Sequence, residues 1–267
     1  MNKTIGVIGG GNMGTALLSG LIRRRTVAAS RVMVSDADTK KLRAVNRTLR
    51  VKTTTCNCEA AGQSVVLLAV KPQQMEPVLK EIRSSLAHKP LLISIAAGIS
   101  TGWIEKKIGA KIPVIRVMPN TPALVGKGIS AIARGRYASA AHEKLALEIF
   151  RSVGETVVVS EKSIDAVTAV SGSGPAYFFF LMEQMIASGK RLGLRPELVR
   201  ALVLATAEGA AQLALQSNDD PAVLRQKVTS KGGTTEAALK VLEKKKAGQA
   251  VQQAILAAAR RAKQLGK

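Results

Sequence analysis

Through the first 160 or so residues, apolar positions fall in short unbroken runs separated by stretches of helical spacing. Thr4 to Ile8 reads as a strand, and a helix pattern follows through Leu17, Leu18, Leu21 and Ile22. Further strands are expected at Arg31 to Ser35, Ser64 to Ala69, Pro90 to Ile95 and Pro113 to Val117. Helices are expected at Thr39 to Asn46, Gln73 to Ser84 and Ser100 to Lys107. Gly128 to Val159 adds two candidate strands around a helix at Ala140 to Arg151. Unbroken apolar strands that alternate with helices predict a parallel sheet covered on both faces. Beyond Ser160 the pattern turns helical, over Pro175 to Lys190, Pro196 to Leu215, Ala222 to Val228, Thr235 to Lys245 and Gly248 to Lys263. The fold class is therefore α/β, a Rossmann-like domain over 1–162 followed by an all-helical domain over 163–267. The helical half is rich in Ala and Leu, which suits packing against a partner subunit.

Composition changes this picture little. With 46 % hydrophobic residues in 267 a sizeable core is available, and 3 % aromatics means it is built from Ala, Leu, Val and Ile. Charge adds more: 40 Lys and Arg against 18 Asp and Glu give +22. This reads as a solvated basic surface, with attraction of anionic small molecules as the alternative. Basic clusters such as Arg23 to Arg25 are not interleaved with aromatics, so no nucleic-acid partner is expected. Cys56 and Cys58 are too close for an ordinary disulfide, and His88 and His142 complete no zinc cluster, so no metal is expected. The N-terminus runs directly into a strand pattern without a signal-peptide core, and apolar runs break before ~18 residues. The expectation is a cytoplasmic protein with no membrane partner.

The first chemistry lies in the first turn. Gly9, Gly11 and Gly14 give G-x-G-x-x-G directly after a strand and at the start of a helix, the context a dinucleotide fingerprint requires. The whole turn, from Ile8 through Gly9, Gly10, Gly11, Asn12 and Met13 to Gly14, is the candidate diphosphate cradle, with free helix-start amides as donors. The second strand ends at Ser35 and Asp36. A carboxylate there favours a ribose and NAD, whereas Ser35, Thr39, Lys40 and Lys41 could favour a 2′-phosphate.

Four more stretches stand in series: AVKP at Ala69 to Pro72, RVMPNTP at Arg116 to Pro122, SGSGPAY at Ser171 to Tyr177, and SKGGTT at Ser230 to Thr235. With IGGGNMG they resemble the pyrroline-5-carboxylate reductase family across essentially the whole chain. The resemblance implies reduction of 1-pyrroline-5-carboxylate to proline with NADPH, NADH being the alternative. It also implies a homodimer through the helical domain, with further assembly up to a decamer. It sets Ala69, Val70, Lys71 and Pro72 beside the nicotinamide side of the cofactor, Glu161 near the same end, and Ser171 by the active site where the domains meet. It assigns the loop of Ser230, Gly232, Gly233 and Thr234 to the substrate carboxylate, and Thr235 to the neighbourhood of the imine nitrogen. Lys231 stands where the family more often has proline.

Read as residues, these positions keep other meanings open. Lys71 serves equally as a solvated loop lysine, and Glu161 as a solvent-facing glutamate. Ala96 and Ala97 have side chains small enough for a flat cofactor to lie close. Asn120 fits either a rigid turn or a carboxamide or ribose contact. Thr235, or Thr234, could simply cap the helix that follows. A 3-hydroxyacid or 6-phosphogluconate-like dehydrogenase would share the architecture but calls for a lysine motif on a central helix, and Lys190 sits at a helix end. A cofactor-sensing regulator without chemistry would have no use for intact SKGGTT and SGSGPAY loops.

Overall fold

The computed structural model describes residues 3–266. Its first half is an eight-stranded sheet in the order β3-β2-β1-β4-β5-β6-β7-β8. The strands are β1 (Ile5–Ile8), β2 (Val32–Ser35), β3 (Lys52–Thr54), β4 (Val65–Leu68), β5 (Leu91–Ser94), β6 (Val114–Met118), β7 (Gly128–Arg134) and β8 (Gly154–Val158). The helices between them are α1 (Asn12–Arg23), α2 (Thr39–Leu49), α3 (Asn57–Ala61), α4 (Met75–Ile82), α5 (Thr101–Ile108) and α6 (Ala140–Phe150). Strands β1 and β4 to β6 are buried at every position, as runs flanked by helices on both faces must be. One face buries Leu17, Leu18, Leu21 and Phe150, and the other buries Met75, Leu79, Ile82 and Ile104.

The expected all-parallel sheet is corrected at one edge. β7 runs antiparallel to β6, and β8 then pairs parallel to β7. The connection from β6 to β7 is a short 3₁₀ turn over Thr121–Val125, too short for the crossover that a parallel pair needs. The short elements β3 and α3 lie where the apolar pattern gives no signal. β3 is an edge strand of Lys and Thr, held by pairing with β2.

After β8 the chain forms α7 (Ile164–Val167) and a wide π turn over Thr168–Gly172. The long helices follow: α8 (Gly174–Arg191), α9 (Pro196–Gln216), α10 (Pro221–Lys227), α11 (Thr234–Lys244) and α12 (Ala247–Leu265). The chain divides into two compact units, 1–173 with 258–267, and 174–257. This break falls after the 162/163 division read from the sequence. Ile164 packs with Met118, Ala131 and Ala133 and so keeps α7 on the sheet. The end of α12 returns to the first unit, where Leu265 lies against Gly98.

The second unit buries little of its apolar surface. Val199 and Val203 are the buried apolar side chains of α9, and α10 and α11 bury none. Phe178, Phe179 and Phe180 are each more than 60 % exposed, and Leu192 and Leu215 about 80 %. By length and composition alone α9 could cross a membrane, although charge interrupts its apolar run as expected. The run carries Arg200 and Glu208, but these two charges are too few to lower its apolar average below that threshold.

Candidate active site

The sheet order reverses between β1 and β4, and ligands of open α/β sheets bind beyond the strand ends at such a point. Ile8 lies level with Ser35 on one side and Leu68 on the other, so the residues after these strands emerge side by side. Gly9 donates to Ser35 O at 2.8 Å, and Ala69 donates to Ile8 O at 2.8 Å. Gly9 has φ +107°, and a Cβ there would lie 2.7 Å from Ala69 O, so a side chain is excluded twice over. At Gly14 a Cβ would lie 2.7 Å from Gly9 O, which is how α1 approaches the strand end so closely.

Gly11 differs. Its backbone is extended (φ −74°, ψ 178°), and a Cβ there would meet nothing within 4 Å. The backbone tolerates any residue, so glycine at this position keeps space open in front of the helix. Gly11 is the N-cap of α1, yet no side chain caps the helix and no acid stands in its first turn. The amides of the first turn are therefore offered outward as an anion site. A cleft of about 420 Å³ opens beside the loop, lined in part by Gly10, Asn12, Thr15 and Lys41. Open space, uncapped amides and a nearby lysine fit a dinucleotide diphosphate.

Asp36 is drawn into the same loop. Its Oδ2 accepts from Gly10 N at 2.8 Å and its Oδ1 from Asp38 N at 2.8 Å, with Lys41 Nζ 3.9 Å away. The carboxylate thus braces the glycine turn as well as standing at the strand end. Ser35 is corrected as a side-chain contact. It is fully buried, and its hydroxyl donates to Asn57 Oδ1 at 2.8 Å. Sequence reading passed over Asn57, because neither β3 nor the Cys-Asn-Cys start of α3 carries an apolar period.

On the other side of the reversal, Val70 packs on the core while Lys71 is exposed, at the N-cap of a 3₁₀ turn that begins at Pro72. Ala96 is buried after β5, and Ala97 packs against Met118 and its neighbours. The Asn120 carboxamide is largely engaged: Oδ1 accepts from Ile129 N at 2.9 Å, and Nδ2 donates to Ser171 Oγ at 3.3 Å. That bond brings Asn120 and Ser171 together, with Ser171 carried on the π turn. Such turns recur at functional sites.

Glu161 is engaged within the protein. Its two oxygens accept from Thr101 N at 2.6 Å and Thr101 Oγ1 at 2.7 Å, at the start of α5. Arg116 Nη1 is 3.9 Å from the same carboxylate, and Arg116 Nη2 donates to Asp165 Oδ1 at 2.9 Å. A larger cleft, about 680 Å³, runs along α5 past Glu105 and Glu161, away from the glycine turn. Burial there raises the Glu105 carboxyl above its ordinary range, and the nearby Glu161 adds to the shift. The Arg136 and Tyr137 amides oppose it.

In the second unit, the Ser230–Thr235 segment leads into the start of α11. Gly232 has φ +74°, which the turn into α11 requires. Gly233 is the N-cap and supplies no side chain, so neither Thr234 nor Thr235 is the cap. Glu236 reaches back to Gly232 N at 2.7 Å, while Lys240 neutralises it at 3.2 Å. The first-turn amides of α11 are left open, with the Thr235 hydroxyl half-exposed beside them.

Residues 161–265 match the family described as pyrroline-5-carboxylate reductase dimerisation, and residues 4–98 the family described as NADP oxidoreductase, coenzyme F420-dependent. The pyrroline-5-carboxylate reductase of Pseudomonas aeruginosa is 42 % identical over 265 residues, covering 98 % of this chain and 97 % of that protein. A pyrroline-5-carboxylate reductase from Coxiella burnetii superposes with a TM-score of 0.91 at 39 % identity over the whole of both chains. The NADP-bound pyrroline carboxylate reductase of Plasmodium falciparum superposes at 0.92 with 32 % identity, over 100 % of this chain and 99 % of that one. Likeness of this extent takes in the glycine turn, the SGSGPAY and SKGGTT segments and the helical half together, and the chain belongs to the pyrroline-5-carboxylate reductase family.

Proposed function

We propose that the chain reduces the C=N bond of 1-pyrroline-5-carboxylate to give L-proline, with NADPH as donor. The observation that carries this reading is the end-to-end likeness to pyrroline-5-carboxylate reductases, among them one at 42 % identity over 98 % of this chain. When bound, the dihydronicotinamide supplies the hydride. The protein's own work is to bind and orient. The amides that open α1, with the space above Gly11, hold the diphosphate. Ala69 to Pro72, Ala96 and Ala97 border the nicotinamide, and the end of β2 borders the adenosine ribose. The open amides of α11 hold the substrate carboxylate, and the Thr235 hydroxyl orients the imine nitrogen or relays a proton from water to it. A free threonine hydroxyl is too weak an acid to serve as a tuned proton donor.

NADPH is preferred in this reading because Lys41 stands beside the Asp36 carboxylate and offsets its charge, and because the Plasmodium relative holds NADP. The exposed phenylalanines and leucines of α8 and α9 are covered by a second copy of the chain, and the dimers assemble further. The deciding experiment is the initial rate with pyrroline-5-carboxylate, run in parallel with NADPH and NADH. Proline formation, faster with NADPH, is the expected result. No turnover with either donor would overturn the assignment.

A further inference from the structure

Arg116 is the only buried charged side chain among the described residues, at 4 % exposure. A guanidinium does not shed its proton, so its burial is costly unless it is fully paired. Here the pairing is incomplete: Nε is buried with no partner. The other two nitrogens reach in different directions. Nη2 donates to Asp165 on α7 at 2.9 Å, and Nη1 lies 3.9 Å from Glu161, whose carboxylate holds the first turn of α5 through Thr101. α5 takes up the chain just after Ala96 and Ala97. α7 runs directly into the π turn of Ser171, and Ser171 is bonded to Asn120, which closes the strand-end turn after Arg116 itself. The buried charge thus ties together the Ala96–Ala97 loop, which borders the proposed nicotinamide end, and the turn that carries Ser171.

An apolar side chain of similar volume would fill the space without the cost of a half-paired charge, so stability gives no reason for an arginine here. We propose that Arg116, acting through Asp165 and Glu161, is a positioning residue that sets the Ser171 turn and the Ala96–Ala97 loop in the geometry turnover needs. The inference rests on the reductase reading. The fork of the guanidinium matters as much as its charge, because a lysine ammonium is a single point of charge on a flexible stem and cannot bridge both carboxylates in fixed directions.

The test compares Arg116→Lys, Asp165→Asn and Glu161→Gln, with steady-state kinetics, fluorescence titration of NADPH and thermal melting on each. All three are expected to lower kcat at saturating NADPH by about tenfold or more. NADPH affinity is expected to hold within about twofold, because the glycine turn rests on Asp36 and Ala69 instead. Arg116→Lys is expected not to rescue turnover although it keeps the charge. Asp165→Asn and Glu161→Gln sit at partly exposed positions, so they report even where the buried lysine prevents folding. Folded variants with wild-type kcat and KM and only a lowered Tm would overturn the proposal and leave Arg116 a structural ion pair. Absence of turnover in the wild type would overturn the reductase reading instead, and this inference with it.

Discussion

At the scale of the residue, the glycine turn and the Ser230–Thr235 loop separate conformation from space. Gly11→Val puts a β-branched side chain on an extended backbone that accepts it, into a volume empty of protein. The variant is expected to stay folded, losing about 1 kcal/mol from a poorer helix start, and to lose NADPH binding. Fluorescence titration beside a thermal melt checks this, and wild-type affinity in a folded variant would remove the diphosphate from this loop. Thr235 is a second case. Since Gly233 is the N-cap of α11, Thr235→Ala deletes no cap and is expected to leave the Tm in place. Its kcat/KM should fall by ~10-fold or more, each tenfold being ~1.4 kcal/mol of lost transition-state stabilisation. Near-wild-type kinetics would take the hydroxyl out of the site. Asp36→Ser is expected to raise the ratio of kcat/KM for NADPH over NADH, since the carboxylate opposes a 2′-phosphate. It should also weaken both cofactors, because Gly10 N loses its acceptor. An unchanged ratio would leave Asp36 a brace alone.

At the scale of the element, α6 carries a pH-sensitive start. Ser139 accepts from the His142 amide, and His142 Nδ1 accepts from Ser139 N at 3.0 Å, a reciprocal cap that requires a neutral imidazole. Burial lowers the His142 pKa below its ordinary 6.5, and the charge of Lys3 lowers it further. The sign follows: the unfolded chain takes the proton first. The stabilisation is whole above the ordinary value and drains away as pH falls from there through the lowered folded value. Melting curves between pH 8 and 5 should show a declining Tm, and His142→Gln should flatten the part of that decline in the imidazole range. An identical slope in the variant would assign it to other groups. The elements that sequence pattern overlooked share one cause. β3, α3 and α7 are short and owe their form to neighbours: β3 to pairing with β2, and α7 to Ile164 packed with Met118, Ala131 and Ala133. Periodicity needs more residues than these elements have.

At the scale of the whole molecule, the two units have opposite economies of burial. The first has two large apolar cores on either face of its sheet. The second leaves Phe178 to Leu181, Leu192, Leu202 and Leu215 in the open. Large apolar side chains exposed in such number fit an interface. Sedimentation should show a homodimer or a larger assembly at micromolar concentration. Phe179→Glu should shift it toward monomer and aggregate, because a charge would be carried into a desolvated face. A stable monomer of the wild type would contradict the expectation of dimerisation.

Strand runs, helix spacing and the glycine fingerprint made the architecture and the glycine turn legible along the chain, because hydrophobic period and backbone freedom are local properties. The order of the Gly-x-Gly-x-x-Gly, SGSGPAY and SKGGTT segments made the family legible for the same reason. What only the tertiary structure decided concerns partners distant in sequence. The antiparallel β7 follows from a connection too short to cross the sheet. Ser35 is turned inward to Asn57, and Glu161 is spent on Thr101. Gly233 takes the cap that a threonine could have filled. Arg116 becomes a hub only because residues 45 to 49 positions downstream fold back onto its strand. Side-chain chemistry is written in the sequence, but which donor meets which acceptor depends on chain crossings that no local pattern encodes.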